Sequence, residues 1–182
     1  MKNIIPFIEK KLFLKVNRKK TEVAHISTVK YLGYSFYRHK GKCRFRVHPK
    51  SVAKMKNRIR ELTDRNKGIS NEVREKKYQE YVRGWVEYFR LADMKKLLQK
   101  TDEWARRRIR AVYWKQWKKI KTKCRMLKAL GLEDWKAKEL ANSRKGYWRM
   151  AKVLNQIFSN KIIAKLGSVS YTHLRAHETS AH

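Results

Sequence analysis

Arginine and lysine side chains are concentrated in the second half of this sequence, close to tryptophans. Between residues 104 and 128 there are eleven Lys and Arg residues and no Asp or Glu. Like charges one helical turn apart repel each other, so such a run gains from a polyanionic partner. An arginine can hold a phosphate through two hydrogen bonds, and an aromatic ring can stack on a base. The pattern therefore predicts nucleic-acid binding, with RNA favoured.

We expect the RNA-binding side chains to form two groups. The first group consists of Arg106, Arg107, Arg108, Arg110, Lys115, Lys118, Lys119, Lys121 and Lys123. The second group, beside Tyr147 and Trp148, consists of Arg144, Lys145 and Arg149. Trp114 and Trp117 flank basic residues and are candidates for base stacking, with core packing as the alternative for both.

The overall composition supports a folded, polyanion-binding chain. Lys and Arg total 48 against 15 Asp and Glu, which gives a net charge of +33. Hydrophobic residues make up 42% of the chain, which is too many for a disordered basic tail. A general structural nucleic-acid binder of ribosomal-protein type, or a DNA binder, is an alternative reading of the same charge. No apolar run approaches the roughly 20 residues needed to cross a bilayer, so no membrane partner is expected.

The other residues that could do chemistry give weaker signals. Cys43 and Cys124 are too far apart in sequence for a metal-ligand motif, and they fit a reduced, cytoplasmic setting. Asp102 and Glu103 lie about one turn before the arginines at 106–108 and 110, which we call the arginine run. Ion pairing or helix stabilisation is therefore favoured over acid–base catalysis for these two acids. We assign no catalytic residue, no cofactor and no metal ligand to this chain.

The elements that must position these side chains are predicted to be α+β and predominantly α. A short helix is expected over residues 4–14. Alternating apolar residues at 31–37 and 43–47, with a glycine between them, predict a β-hairpin. We expect Pro49 to close the hairpin and Ser51 to cap the helix that follows.

Helical spacing dominates the rest of the chain. A helix is predicted over residues 52–62, and another begins at Ser70 or Asn71. Asp93 is expected to cap a third helix that runs to residue 117. Shorter helical segments are predicted around residues 137–141 and 148–158.

One predicted helical face combines aromatic side chains with a nearby glycine. Tyr81, Trp85 and Phe89 share this face, and core packing is favoured over base stacking for them. Gly84 sits in mid-helix, where a glycine costs about 1 kcal/mol relative to alanine. Close packing of a neighbouring helix is the expected compensation.

Several motifs occur in a specific order along the chain. They are Arg-Gly-Trp-Val-Glu-Tyr-Phe at 83–89, Thr-Asp-Glu-Trp at 101–104, Trp-Lys-Gln-Trp-Lys-Lys at 114–119 and Ser-Arg-Lys-Gly-Tyr-Trp-Arg at 143–149. With these motifs the chain resembles the maturase-specific region, or domain X, of group II intron reverse transcriptases. Tyr-Leu-Gly-Tyr-Ser-Phe at 31–36 is similar to the end of the palm subdomain of that family.

The resemblance implies a mobile-element protein that binds group II intron RNA and promotes its folding and splicing. A DNA target is a further candidate partner. The parent protein would be an RNA-directed DNA polymerase, whose paired aspartates hold Mg²⁺. This sequence has no Asp-Asp pair, so we expect the fragment not to polymerise alone and to lack its N-terminal reverse transcriptase half. The alternative reading is that it forms part of an intact polymerase.

The resemblance also suggests four parts. Residues 1–50 would be the C-terminal end of the palm, residues 51–125 the helical thumb and maturase-specific domain, and residues 126–167 a basic helical extension. Residues 168–182 resemble a translated sequencing adaptor, so we expect the native sequence to end before them. The histidines in that part are given no metal-binding role.

Overall fold

The structure is a computed structural model that describes residues 4–18, 21, 23–159 and 162. The strands are β1 (Lys30–Tyr31), β2 (Tyr34–His39) and β3 (Lys42–Val47). The helices are α1 (Ile4–Lys11), α2 (Pro49–Leu62), α3 (Asn71–Tyr88), α4 (Lys95–Gln116), α5 (Ile120–Ala129), α6 (Asp134–Ala141) and α7 (Tyr147–Ile157). The predicted class, α+β and predominantly α, is confirmed. Residues 168–182 lie outside the described residues.

The sheet is a small antiparallel meander in the order β1-β2-β3. Leu32 and Gly33 connect β1 to β2 with φ values of 48° and 83°, and Lys40 and Gly41 connect β2 to β3 with φ values of 49° and 76°. Positive φ at both central residues fits a type I′ turn, whose twist matches that of the flanking strands. The predicted hairpin is therefore confirmed, and a glycine takes the second turn position in both connections.

The hairpin docks on the junction between α3 and α4. The Tyr34 hydroxyl donates to the Tyr88 carbonyl over 2.5 Å, and the Tyr88 hydroxyl donates to the Leu32 carbonyl over 2.9 Å. The backbone amide of Asp93 donates to the Phe45 carbonyl over 2.7 Å. These three hydrogen bonds hold the sheet against the end of α3 and the segment that follows it.

Two of the predicted helix caps are wrong and one is confirmed. His48 caps α2 through its side chain, and Pro49 occupies the first turn, where its missing amide hydrogen costs nothing. Ser51 instead donates to the Gly33 carbonyl over 3.1 Å. The Asp93 carboxylate accepts from the Tyr37 hydroxyl over 2.7 Å, so it holds the hairpin and does not cap α4. Ser70 caps α3, as predicted.

Two apolar clusters form the core. The first joins β3 to α2, α3 and the part of α4 up to residue 109, and it is built from Val47, Met55, Ile59, Tyr78, Val82, Trp85, Val86, Phe89, Ala92, Met94, Leu98, Ala105 and Ile109. The second joins the end of α4 to α5, α6 and α7, and it is built from Trp114, Trp117, Leu127, Ala137, Met150, Leu154 and Phe158. Tyr113 packs against both clusters.

The aromatic face of α3 packs in the first cluster as predicted, but the explanation offered for its glycine is wrong. Trp85 and Phe89 are buried, and Tyr81 packs against them. Gly84 is exposed, and a Cβ built there meets no atom within 4 Å. No neighbouring helix of the described chain approaches at this point. The free-energy cost of a glycine in mid-helix is therefore not offset by closer helix packing in this structure.

The second half of the chain positions the predicted basic groups. α4 packs along α7, and α5 packs on α6. The separate helix α5 has no counterpart in the sequence-based prediction, and it runs across residue 125, the predicted domain boundary. That boundary remains a prediction. Among the described residues, no helix combines the length and the apolar character needed to span a membrane.

Candidate nucleic-acid interface

The twelve predicted RNA-binding cations fall into three classes of exposure. Six are exposed, and we call them the exposed cation set: Lys118, Lys119, Lys121, Arg144, Lys145 and Arg149. Five are partly buried: Arg106, Arg107, Arg108, Lys115 and Lys123. Arg110 alone among the twelve is buried. The arginine run is therefore not one solvent-facing patch, because a helix turns successive side chains toward different neighbours.

The burial of Arg110 argues against its predicted role in RNA binding. Its side chain is 2% exposed, and its Nε donates to the Phe158 carbonyl over 2.9 Å. Burial lowers the pKa of this guanidinium to about 10, with the charge of nearby Arg106 as the second cause. Arg110 lines an open concavity between α4 and α7, but at 2% exposure it offers a phosphate very little surface.

Arg106 and Arg107 are held by neighbours on α4 and α7. Arg106 Nη2 lies 3.3 Å from the Asp102 carboxylate, which confirms ion pairing for that acid. The Arg107 guanidinium lies 4.1 Å from the centre of the Trp148 ring and donates to the Trp148 carbonyl over 3.3 Å. Both arginines are therefore anchored before any ligand binds.

Arg108 ties α4 to the end of α2. Its Nε donates to the Thr63 hydroxyl over 2.6 Å, and that hydroxyl donates to the Ile59 carbonyl over 2.6 Å. Burial lowers the pKa of Arg108, and the charges of Arg60 and Arg65 lower it further. The Arg108 side chain therefore links α4 to the C-terminal end of α2.

The two partly buried lysines also have partners. Lys115 donates to the side-chain oxygen of Asn66, in the loop before α3. The ammonium of Lys123 lies 4.7 Å from the centre of the Trp114 ring. Such a cation–π contact is worth about 0.5–2 kcal/mol depending on its solvation. These lysines reach the surface only in part.

Trp114 and Trp117 are core residues in this structure. Trp114 is 2% exposed and Trp117 is 6% exposed, and their rings pack edge to face with centres 6.0 Å apart. Trp117 also stacks on Phe158 at 6.4 Å. Of the two alternatives for these tryptophans, the structure shows core packing, because the second cluster covers both rings.

The second predicted group lies at the start of α7, where an additional arginine joins it. Arg65, in the connection from α2 to α3, lines the same open concavity as Arg144, Lys145 and Arg149. The Arg65 guanidinium lies 5.0 Å from the centre of the Tyr147 ring. Sequence reasoning missed Arg65, since its position is 82 residues away from Tyr147 and no local motif marks it.

The loop that carries Arg65 is fixed by a buried arginine. Arg74, which is 3% exposed, donates to the carbonyls of Leu62 and Asp64, both over 2.8 Å. A third bond of 3.2 Å goes to the Lys67 carbonyl. One guanidinium thus satisfies the last carbonyl of α2 and two carbonyls of the following loop, which holds this segment against α3.

The described residues bring no three His, Cys, Asp or Glu side chains together as potential metal ligands. Two free thiols, Cys43 and Cys124, are exposed and half-buried respectively. The basic surface offers charge, hydrogen bonding and ring stacking.

Comparison with known proteins finds a similarity over part of the chain. Residues 52–131 match the family model described as group II intron, maturase-specific domain. A search of curated proteins finds no match. The matched segment begins in α2 and ends just after α5, so it contains the arginine run but not the basic group at the start of α7. Residues 52–131 of this chain are therefore similar to the maturase-specific domain of group II introns.

Proposed function

We propose that this chain binds group II intron RNA through its exposed cation set and thereby promotes folding and splicing of that RNA, without polymerising by itself. The observation that carries the proposal is a set of six exposed cations on a chain similar, over residues 52–131, to the maturase-specific domain. In the described part of the chain, none of the six forms an ion pair with an acid. Their charge is available to phosphates.

Phosphate contacts would supply most of the affinity, and RNA shape would supply the selectivity. The full chain should bind group II intron RNA more tightly than an unrelated structured RNA of equal length at about 0.2 M salt. Equal affinity for the two RNAs at every salt concentration would support the general nucleic-acid binder instead.

A charge-matched pair of variants tests the surface itself. Lys118→Gln, Lys119→Gln and Lys121→Gln together should weaken RNA binding, and the salt dependence should flatten by about one unit of slope for each phosphate that the variant no longer binds. The control removes the same charge at Lys95, Lys96 and Lys100, which are exposed near the other end of α4. At a rise of 1.5 Å per residue this end lies about 30 Å away. The control should keep the original slope.

The resemblance to reverse transcriptases extends the proposal to a longer parent protein. Its polymerase activity would use Mg²⁺ held by an aspartate pair that this sequence does not contain. Addition of a reverse transcriptase N-terminal half should then restore DNA synthesis, and failure to do so would count against that extension. The free thiols Cys43 and Cys124 fit the reducing cytoplasm that we propose as the location.

A further inference from the structure

We infer that the start of α7 forms a binding site for unpaired RNA nucleotides, in which Tyr147 and Trp148 stack on bases. The inference rests on the proposed RNA-binding function and adds the kind of RNA element that this surface takes. The site lies outside the matched maturase-specific segment, which ends at residue 131.

Two exposed aromatic rings carry the inference. Tyr147 is 42% exposed and Trp148 is 41% exposed, although large aromatic side chains usually pack in the core. Each ring has an arginine beside it: Arg65 lies 5.0 Å from the Tyr147 ring centre, and Arg107 lies 4.1 Å from that of Trp148. An arginine against a ring fixes its orientation and leaves the exposed part free to accept a base.

The surroundings of the rings are cationic. The concavity has a volume of about 630 Å³, and its lining includes Arg144, Lys145 and Arg149 but no Asp or Glu among the described residues. α7 begins at Tyr147 after Gly146, with no side-chain cap and no acid in its first turn. The positive end of the helix dipole therefore adds to the same field. Phosphates that flank the stacked bases would be attracted here.

The anchors of the two rings come from distant parts of the chain. Arg107 belongs to α4, and it also donates a hydrogen bond to the Trp148 carbonyl over 3.3 Å. Arg65 belongs to the loop that Arg74 holds through three carbonyls. The rings are thus positioned by folded elements before the ligand arrives, which reduces the entropy lost on binding.

Unpaired nucleotides fit this arrangement better than a duplex. In paired RNA the base faces are stacked on one another, and a protein reaches mainly phosphates and 2′-hydroxyls. Single strands expose base faces, and stacking on an aromatic side chain is tolerant of base identity. A purely phosphate-binding surface would need the cations but would gain nothing from two exposed rings.

The test uses the full chain and a short RNA of about eight nucleotides, offered either single-stranded or paired with its complement. Tyr147→Leu combined with Trp148→Leu keeps an apolar side chain and removes the rings. Affinity for the single strand should fall by about ten-fold or more, with an unchanged salt slope, and duplex affinity should stay within about two-fold. Unchanged single-strand affinity, or an equal loss for both RNAs, would overturn the inference.

Two control variants test whether the loss of affinity comes from the aromatic rings of this site. Trp135→Leu removes another exposed tryptophan, on α6, whose side chain is 63% exposed and which lies outside this concavity. Its single-strand affinity should match that of the parent. Tyr147→Phe keeps the ring and should also bind like the parent, and a loss in either control would overturn the assignment to stacking at this site.

The same data distinguish the two proposals. If the inference fails while the proposed function holds, the charge variants will weaken intron RNA binding and the ring variants will not. If the proposed function fails, the chain will show no preference for intron RNA, yet the ring variants will still lose single-stranded RNA. Equal stacking on single-stranded DNA would show that the site reads unpaired bases without using the 2′-hydroxyl.

Discussion

The Nε of Arg110 donates a hydrogen bond over 2.9 Å to the carbonyl oxygen of Phe158, which immediately follows α7. This bond joins the second half of α4 to the end of α7 inside the protein, because Arg110 is 2% exposed. The sequence predicts that Arg110 binds phosphate, but in the structure this residue links α4 to α7.

Replacement of Arg110 by Met should lower stability without changing RNA binding. The aliphatic volume is largely kept, but the Phe158 carbonyl loses a charged donor, so the free energy of unfolding should fall by about 1.5–3 kcal/mol. Urea denaturation measures the loss, and RNA titration over a salt series gives the slope. A slope reduced by one unit with unchanged stability would place Arg110 in the RNA interface after all.

Glu75 and Tyr113 form a partly buried hydrogen bond between α3 and α4, with the tyrosine hydroxyl donating. Burial raises the pKa of Glu75 above its ordinary value of 4.5, and the bond from Tyr113 opposes that shift. The folded state therefore takes up a proton at a higher pH than the unfolded chain does. Glu75 contributes stability that is fully present below the unfolded pKa and is lost as the pH rises through the folded pKa.

The Glu75→Gln variant should lack this contribution. The difference in unfolding free energy, parent minus variant, should increase as the pH falls from about 7 toward about 4.5. Tyr113→Phe should enlarge the pH dependence, because it removes the bond that favours the charged carboxylate. Urea unfolding at several pH values measures both effects, and identical profiles for parent and Glu75→Gln would contradict the assignment.

Arg74 is expected to control the loop that carries Arg65. Lysine at this position keeps the charge, but its single ammonium cannot reproduce the planar array of donors that satisfies three carbonyls. Arg74→Lys should lower the unfolding free energy by about 2–4 kcal/mol. It should also weaken binding of single-stranded RNA, since the Tyr147 ring would lose its fixed arginine neighbour. If the variant is less stable but binds single-stranded RNA as tightly as the parent, the loop that carries Arg65 does not contribute to the binding site.

Gly84→Ala should stabilise the protein by about 1 kcal/mol, since alanine is the better helix former and the new Cβ meets nothing within 4 Å. The rise in unfolding free energy is measurable by urea denaturation, with Arg83→Ala as a neighbouring exposed control. RNA binding should be unchanged. If stability rises while affinity for intron RNA drops, the RNA backbone approaches this bare stretch of α3.

Local patterns predict the helices and the hairpin because their signals lie within a few residues of each other. Ser70 caps α3 as its position before an apolar repeat predicts, and Gly41 takes the turn position between two alternating segments. The predicted cap at Asp93 is wrong because the real partner of this residue, Tyr37, is 56 residues away. A cap and a tertiary hydrogen bond need the same residue type, and only the fold decides between them.

The candidate site is predicted less well, for a related reason. The composition of the arginine run gives its charge but not the direction of each side chain, and Arg108 bonds Thr63 while Arg110 bonds Phe158. Trp114 lies among lysines in the sequence, yet the second cluster buries it. The group at 144–149 is the more accurate prediction of an exposed surface, because no long helix turns its cations inward.

The position of Tyr113 against both clusters has a consequence for how the protein opens. α4 supplies side chains to each cluster, so neither can separate from it without exposing apolar surface that the other helps to cover. Local openings at α1 or the hairpin leave this helix intact, and opening of its centre requires the loss of both clusters. In native-state hydrogen exchange, the amides around residues 105–114 should therefore be the slowest, and they should exchange together.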